Sequence, residues 1–283
     1  MSTSVLKIIA AICMVIDHIA VYFDTAPVWF HWIGRISAPV FMYCLAWGMV
    51  YTHDRKKYLL RLYTASVSMS VLNYFFDYFF ETKIESNIFA VIFSAALLIY
   101  IIDYIKQNKA DRKKIIIIYT AVQITEIVFI GIILPMIPGF GYMEENVFIA
   151  LSGNIFMNNE GFIFVALPVL IYYYGYTKIS LAITYLGWWA AYVILCVSGL
   201  PYRLLRGIPE GSAKNVMEFL GRVFLKLNPM DSLRHLDYRV LVICALPFML
   251  LYNNKRGKYN KYFFYLFYPA HIYVLYFLSK YLC

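Results

Sequence analysis

The chain has 283 residues, 62% of them apolar and only 14% charged, with a mean hydropathy of +0.66 and a formal net charge of +9. Soluble domains carry about 25% charged residues, so an ordinary soluble enzyme is excluded and one polytopic membrane domain over residues 1–283 is expected. The basic excess does not read as a nucleic-acid interface, because Lys and Arg sit between apolar runs, where they set membrane topology.

The apolar residues gather into runs of roughly 17–23, enough to cross about 30 Å of hydrocarbon at about 1.5 Å per residue. The expected fold is all-α, a polytopic helical membrane protein with about nine transmembrane helices (eight to eleven). The runs lie at 5–23, 35–52, 58–80, 88–105, 115–137, 161–177, 179–200, 236–253 and 260–282. The first contains only Lys7 before Asp17 and no small-residue cleavage site follows, so Val5–Phe23 reads as a retained helix rather than a signal peptide. Connections then alternate. Arg55-Lys56-Lys57, Lys106 to Lys114, Lys178, and Lys255 to Lys261 fall on one side, and the acid-rich loops 81–85 and 144–160 on the other. The positive-inside rule places the N-terminus in the cytoplasm and the C-terminus outside a cell (plasma or inner) membrane.

The loop 201–235 contains "SAKNVMEFLGRVFLKLN". Val216, Phe219, Leu220, Val223, Phe224 and Leu227 recur at helical spacing, with Lys214, Glu218, Arg222 and Lys226 opposite and Ser212 as N-cap. This amphipathic helix is too short to span and is expected to lie flat at the outer surface, as an interfacial anchor or as a lid or acceptor-docking element. The five cysteines are an odd count with no CxxC, so neither disulfides nor a metal site is expected.

Ionisable groups at membrane depth cost at least about 2.5 kcal/mol each and face the bundle interior or water. His18 lies five residues before Phe23, about 7.5 Å below the outer end of its helix. Arg35 opens helix two at similar height, and Asp77 ends helix three with Asn73 one turn deeper. The outer half therefore collects Asp17, His18, Arg35 and Asp77. Gln123, Glu126 and His271 fall near mid-membrane. Adjacent residues are about 100° apart on a helix, so Asp17 and His18 do not pair with each other; Asp17 turns to another helix, with Arg35 as candidate, and His18 points alone into a cavity. An imidazole there is either a packing residue or a proton-transfer group. His271 has nothing titratable beside it in the sequence, and His31, near Trp29 and Trp32, is expected to be exposed and without a role.

"LKIIAAICMVIDHIAVYF", followed by "WIGRISAPVFMYCLAWGMVYTHDRKKYLLRL", resembles the opening of the TraX family. Its marks are an Asp-His in helix one, Gly-Arg then Pro and Phe opening helix two, and Thr-His before a basic turn. "SNIFAVIFSAALLIYIID" and "EGFIFVALPVLIYYYGY" occupy the places of later motifs, and "KYFFYLFYPAHIYVLYF" is similar to the family's C-terminal signature. Two positions depart from the pattern: Trp47 precedes Gly48 where an acid is expected, and Ala90 stands where a threonine is.

The resemblance implies an integral-membrane acyltransferase of the kind that acetylates the amino terminus of a conjugative pilin, grouped with transmembrane acyltransferases that draw on cytoplasmic acetyl-CoA. It makes His18 the catalytic histidine, as general base or acyl carrier. Asp17 and Arg35 become its structural or electrostatic partners, and His271 a second histidine lining the site. Lys56, Lys57, Lys113 and Lys114 then either hold the anionic end of acetyl-CoA, the acyl donor, or serve topology alone. A Gly-rich phosphate loop is absent. The partners are the lipid bilayer, acetyl-CoA and an extracytoplasmic peptide or glycan offering an amine or hydroxyl. A proton-coupled transporter or flippase, and a non-catalytic membrane scaffold, are the competing readings.

Overall fold

Helices begin where a side chain can accept from the unpaired N–H groups of a first turn. In the computed structural model, which describes residues 1–139, 141–198, 200–209, 211–225, 238–255, 257 and 261–282, Ser2 caps α1 (Thr3–Tyr22) through Val5 N at 3.4 Å. Helix two, expected over 35–52, is preceded by a further short helix. α2 (Trp29–Gly34) ends at Arg35, and α3 (Ser37–Tyr51) follows after Ile36. Pro39 has no N–H to donate to the Arg35 carbonyl four residues back, so the ladder fails there.

Asp54 caps α4 (Arg55–Phe80) through Lys57 N at 3.0 Å, a bond that also holds the Asp54 carboxyl below its ordinary range. Asn87 caps α5 (Ile88–Gln107) through Ala90 N at 3.2 Å. α6 (Arg112–Val128) continues as a π-helical turn, Phe129–Ile133, and a 3-10 turn, Leu134–Met136. α7 (Tyr142–Ser152) lies where an acid-rich loop was expected; Glu144 and Glu145 sit in its first turn, where the helix dipole favours negative charge. α8 (Gly161–Tyr174) and α9 (Lys178–Tyr192, capped by Thr177) follow, the latter prolonged by a π turn, Val193–Val197. After α10 (Leu200–Arg206), the amphipathic segment forms α11 (Ser212–Leu225). Its last expected positions, Lys226 and Leu227, and the side chains of Ser212 and Arg222 lie outside what is described, as do Arg256 and Lys258 of the basic loop. A 3-10 helix, Tyr238–Ala245, leads into α12 (Leu246–Leu250), and α13 (Lys261–Leu282) closes the chain.

The fold among the described residues is thus all-helical, without a strand. Five stretches are long and apolar enough to cross a membrane: Thr3–Tyr22, Trp29–Tyr51, Ile88–Gln107, Arg112–Ile133 and Lys178–Val197. The other four expected spans fall short of that measure. α4 and α13 are long, 26 and 22 residues, but their tyrosines, serines and charges lower the mean hydropathy. The other two are shorter apolar helices, Gly161–Tyr174 and Tyr238–Leu250.

The chain divides into two compact units. The first holds Met1–Trp47, Leu170–Arg222 and the described part of Leu227–Cys283; the second holds Gly48–Val169 with Val223–Lys226. In the first, α1 packs on α2 and α13. Lys7 stands over the Phe264 ring at 5.7 Å, and Tyr22 meets Tyr276 at 6.1 Å. Contacts advance together along both helices, so α1 and α13 run in the same direction. α3 runs the other way, with Phe41 at 6.3 Å from Phe264 and Trp47 at 5.6 Å from Tyr252. Beside them the 3-10 segment and α12 cover about 24 Å in thirteen residues, because a 3-10 turn rises about 2.0 Å per residue. Tyr185 and Trp189, one turn apart on α9, donate to the carbonyls of Val242 and Val240 respectively, the latter at 2.9 Å.

The second unit is built around buried amides. Asn87 donates to the Ser66 carbonyl (2.9 Å) and the Ser70 hydroxyl (2.7 Å), tying α5 to α4. Arg55 and Asp103 close the same pair of helices at 2.6 Å. α7 ends at Gly153, where a left-handed φ of 68° and the 2.7 Å that an added Cβ would leave to Phe93 both call for glycine. Asn154 follows, 0% exposed. Its amide donates to the Gln123 carbonyl (3.2 Å) and Glu126 Oε2 (3.0 Å), and its oxygen accepts from Phe156 N and Met157 N. Gln123 Oε1 accepts from Ile155 N at 2.9 Å. Gln123, expected in mid-membrane, thus satisfies part of a non-helical stretch of backbone directly, and Glu126 does so through the Asn154 side chain it holds.

Tyr185→Phe and Trp189→Phe each remove one donor to the 3-10 segment. Each is expected to cost about 1 kcal/mol, read as a lower thermal midpoint in detergent. An unchanged midpoint in the double variant would mean that those carbonyls are satisfied without α9.

Candidate active site

Asp17 and His18 are consecutive on α1 and reach different neighbours. Asp17 faces α2. Its Oδ1 is 2.8 Å from His31 Nδ1 and its Oδ2 accepts from Arg35 Nη2 at 2.8 Å. His31 and Arg35 are four residues apart, so one turn presents both to one carboxylate. The approach depends on Gly34: a Cβ there would lie 2.3 Å from Asp17 Cβ and Cγ. This is a physical reason for the Gly-Arg step of the sequence. The Tyr238 ring completes the group, near-parallel to His31 (15°, 5.4 Å) and 5.4 Å from the Arg35 guanidinium carbon. Arg35 Nε is buried and, among the described residues, has no hydrogen-bond partner.

His18 faces α13. Its Nδ1 lies 2.8 Å from His271 Nε2, with the rings 5° from parallel. His271 Nδ1 is in turn 2.9 Å from the Phe267 carbonyl oxygen. His271 is 7% exposed, with Phe267 stacked on it at 5.1 Å and Tyr268 edge-on at 5.7 Å. Tyr22 stands edge-on to His18 at 6.4 Å.

The expected Asp17–Arg35 pair is present. Three expectations are corrected. His18 does not point alone, since His271 is bonded to it. His271, with no titratable sequence neighbour, acquires one from a helix 253 positions earlier in the chain. His31, expected to be exposed, is half-buried and shares the Asp17 carboxylate. The spacing of His31 and Arg35 was the available signal for that role, and the flanking Trp29 and Trp32, both about half exposed, obscured it.

The remaining candidates belong to the second unit. Asp77 accepts from Lys83 N at 2.7 Å and so shapes the turn after α4, where Glu81 and Lys83 take left-handed conformations. Asn73 donates to the Ser86 carbonyl at 3.2 Å. Lys56 and Lys57 lie in the first turn of α4, Lys113 and Lys114 in that of α6, and all four are exposed. Lys57 pairs with Asp54 at 3.1 Å.

These features define a multi-pass helical membrane protein with a histidine pair and a shared carboxylate inside its first unit. The TraX protein family model matches residues 2–217 and 176–279, and the chain belongs to the TraX family. No curated protein and no solved structure matches it.

Gly34→Ala is expected to destabilise the protein by about 2–3 kcal/mol, because the Asp17 side chain it would meet is held by His31 and Arg35 and has little room to give. Thermal unfolding in detergent measures it, and wild-type stability would contradict the close approach of Asp17.

Proposed function

We propose that the protein is an acetyl-CoA-dependent acyltransferase of the cell (plasma or inner) membrane. It moves an acetyl group from the cytoplasmic donor to an amine or hydroxyl of an extracytoplasmic acceptor, a pilin-like peptide or a surface glycan. The observation that carries this reading is His18, bonded to His271 at 2.8 Å and next in the chain to Asp17, which holds a guanidinium whose Nε is buried and, among the described residues, without a hydrogen-bond partner. Family membership is compatible with a transferase. Acyl transfer needs a group to take a proton from the nucleophile and a donor for the oxyanion that develops on the acyl carbonyl. His18 supplies the first, as general base or as transient acyl carrier, an effect of about 10²–10⁴-fold for general-base catalysis. Arg35 Nε supplies the second, its guanidinium held by Asp17.

The proposed topology has the N-terminus in the cytoplasm and the C-terminus outside. It draws support from Thr3 N and Asn253 N, which bond to Lys255 O and Met1 O at 2.9 Å and so join the N-terminus to the basic turn before α13. The parallel run of α1 and α13 agrees with opposite ends for the two termini. Lys56, Lys57, Lys113 and Lys114 are exposed cations suited to the phosphates of the donor.

His18→Ala is expected to abolish transfer from radiolabelled acetyl-CoA to the acceptor while the variant still folds. In the wild type, acetyl-CoA at about 100 times its Kd should add about 2.7 kcal/mol of stability. No thermal shift would favour a proton-coupled carrier instead.

Lys56→Ala with Lys57→Ala should weaken acetyl-CoA binding, measured by the same shift. Equal affinity with and without both lysines would assign them to topology alone.

A further inference from the structure

We infer that His271 is a positioning residue that sets the tautomer of His18, leaving His18 Nε2 as the nitrogen that exchanges protons with substrate. The inference deepens the acyltransferase reading and rests on it for the reaction, but the tautomer follows from the hydrogen bonds alone. A carbonyl oxygen only accepts. His271 Nδ1, 2.9 Å from the Phe267 oxygen, therefore carries a hydrogen. In a neutral His271 the other nitrogen, Nε2, is then bare. It lies 2.8 Å from His18 Nδ1, so the hydrogen of that bond sits on His18 Nδ1. A neutral His18 is left with a bare Nε2, and among the described residues nothing bonds to it.

The opposite tautomer is disfavoured from both ends. With the hydrogen on His18 Nε2, two lone pairs would face each other across 2.8 Å. Turning over His271 as well would restore that bond but abandon the one to Phe267. The relay from a backbone carbonyl through two rings thus does what a carboxylate does in hydrolytic triads. Asp17, the carboxylate next to His18 in the chain, is already taken up by His31 and Arg35.

The proton balance closes over one turnover. As the acceptor nitrogen or oxygen forms its bond to the thioester carbonyl carbon, its proton passes to His18 Nε2. The resulting imidazolium keeps its Nδ1–H on His271. The carbon–sulfur bond then breaks, and the departing thiolate takes the proton from Nε2, which restores the starting tautomer.

Two measurements test this. The first is 15N spectroscopy of the full-length protein carrying ring-labelled histidine, with the His18 signals identified by their loss in His18→Ala. A protonated Nδ1 and bare Nε2 in the wild type, replaced by a tautomer mixture in His271→Ala, is the expected result. A hydrogen on His18 Nε2 in the wild type would overturn the inference, whatever the activity. The second is kinetic. His271→Ala should lower kcat by about 10²-fold with little change in KM. His271→Gln, whose side-chain oxygen can accept where Nε2 did, should recover activity to within about tenfold of wild type. Equal losses in both variants, or a loss confined to KM, would remove the positioning role. If the wild-type tautomer is as inferred but no acetyl transfer occurs, the acyltransferase reading fails and the hydrogen-bonded relay stands.

Discussion

A carboxylate inside a helical membrane protein must be paired, and the pairing of Asp17 organises the first unit. Desolvation makes an isolated Asp at that depth costly, whereas two contacts of 2.8 Å with His31 and Arg35 satisfy both oxygens. The contacts require α2 to lie against α1 closely enough that residue 34 has no side chain. Once Asp17 is committed to α2, helical geometry turns the next residue about 100° away. His18 therefore meets α13, and the position of the histidine pair is a consequence of where the carboxylate went.

Tyr238 ties this group to the 3-10 segment, and through it to α9. Eight residues of 3-10 helix are more than its hydrogen bonding ordinarily supports. Here the extra donors come from Tyr185 and Trp189. The second unit obeys the same rule with different residues. Asn87, Asn154 and Asn158 are at most 5% exposed; Asn87 caps the first turn of α5, and Asn154 and Asn158 bond to the non-helical backbone of residues 155–157. In both units irregular backbone is tolerated where side-chain amides, indoles and phenols complete its hydrogen bonding.

What could be read in the sequence depended on range. The Asp17–Arg35 pair was legible because a short connection holds α1 and α2 together and few partners for a buried acid lay nearby. The break after Arg35 follows from Pro39, although the expected helix over 35–52 ran through it. α7 was hidden because two glutamates in a row suggested a loop, although acids suit the first turn of a helix. The 3-10 stretch "YRVLVICA" was not legible, since the apolar run after Arg239 carries no period that separates one helix type from another.

The sequence by itself determined the membrane class and the alternation of basic and acidic segments along the chain. Both rest on composition. Tertiary structure alone decided that His18 meets His271, that His31 serves Asp17, and that Gln123 and Glu126 hold the loop at Asn154. Lipid is as apolar as leucine, so an apolar helix face does not specify its neighbour. Packing and a few long-range hydrogen bonds make that choice, and they exist only once the helices have assembled.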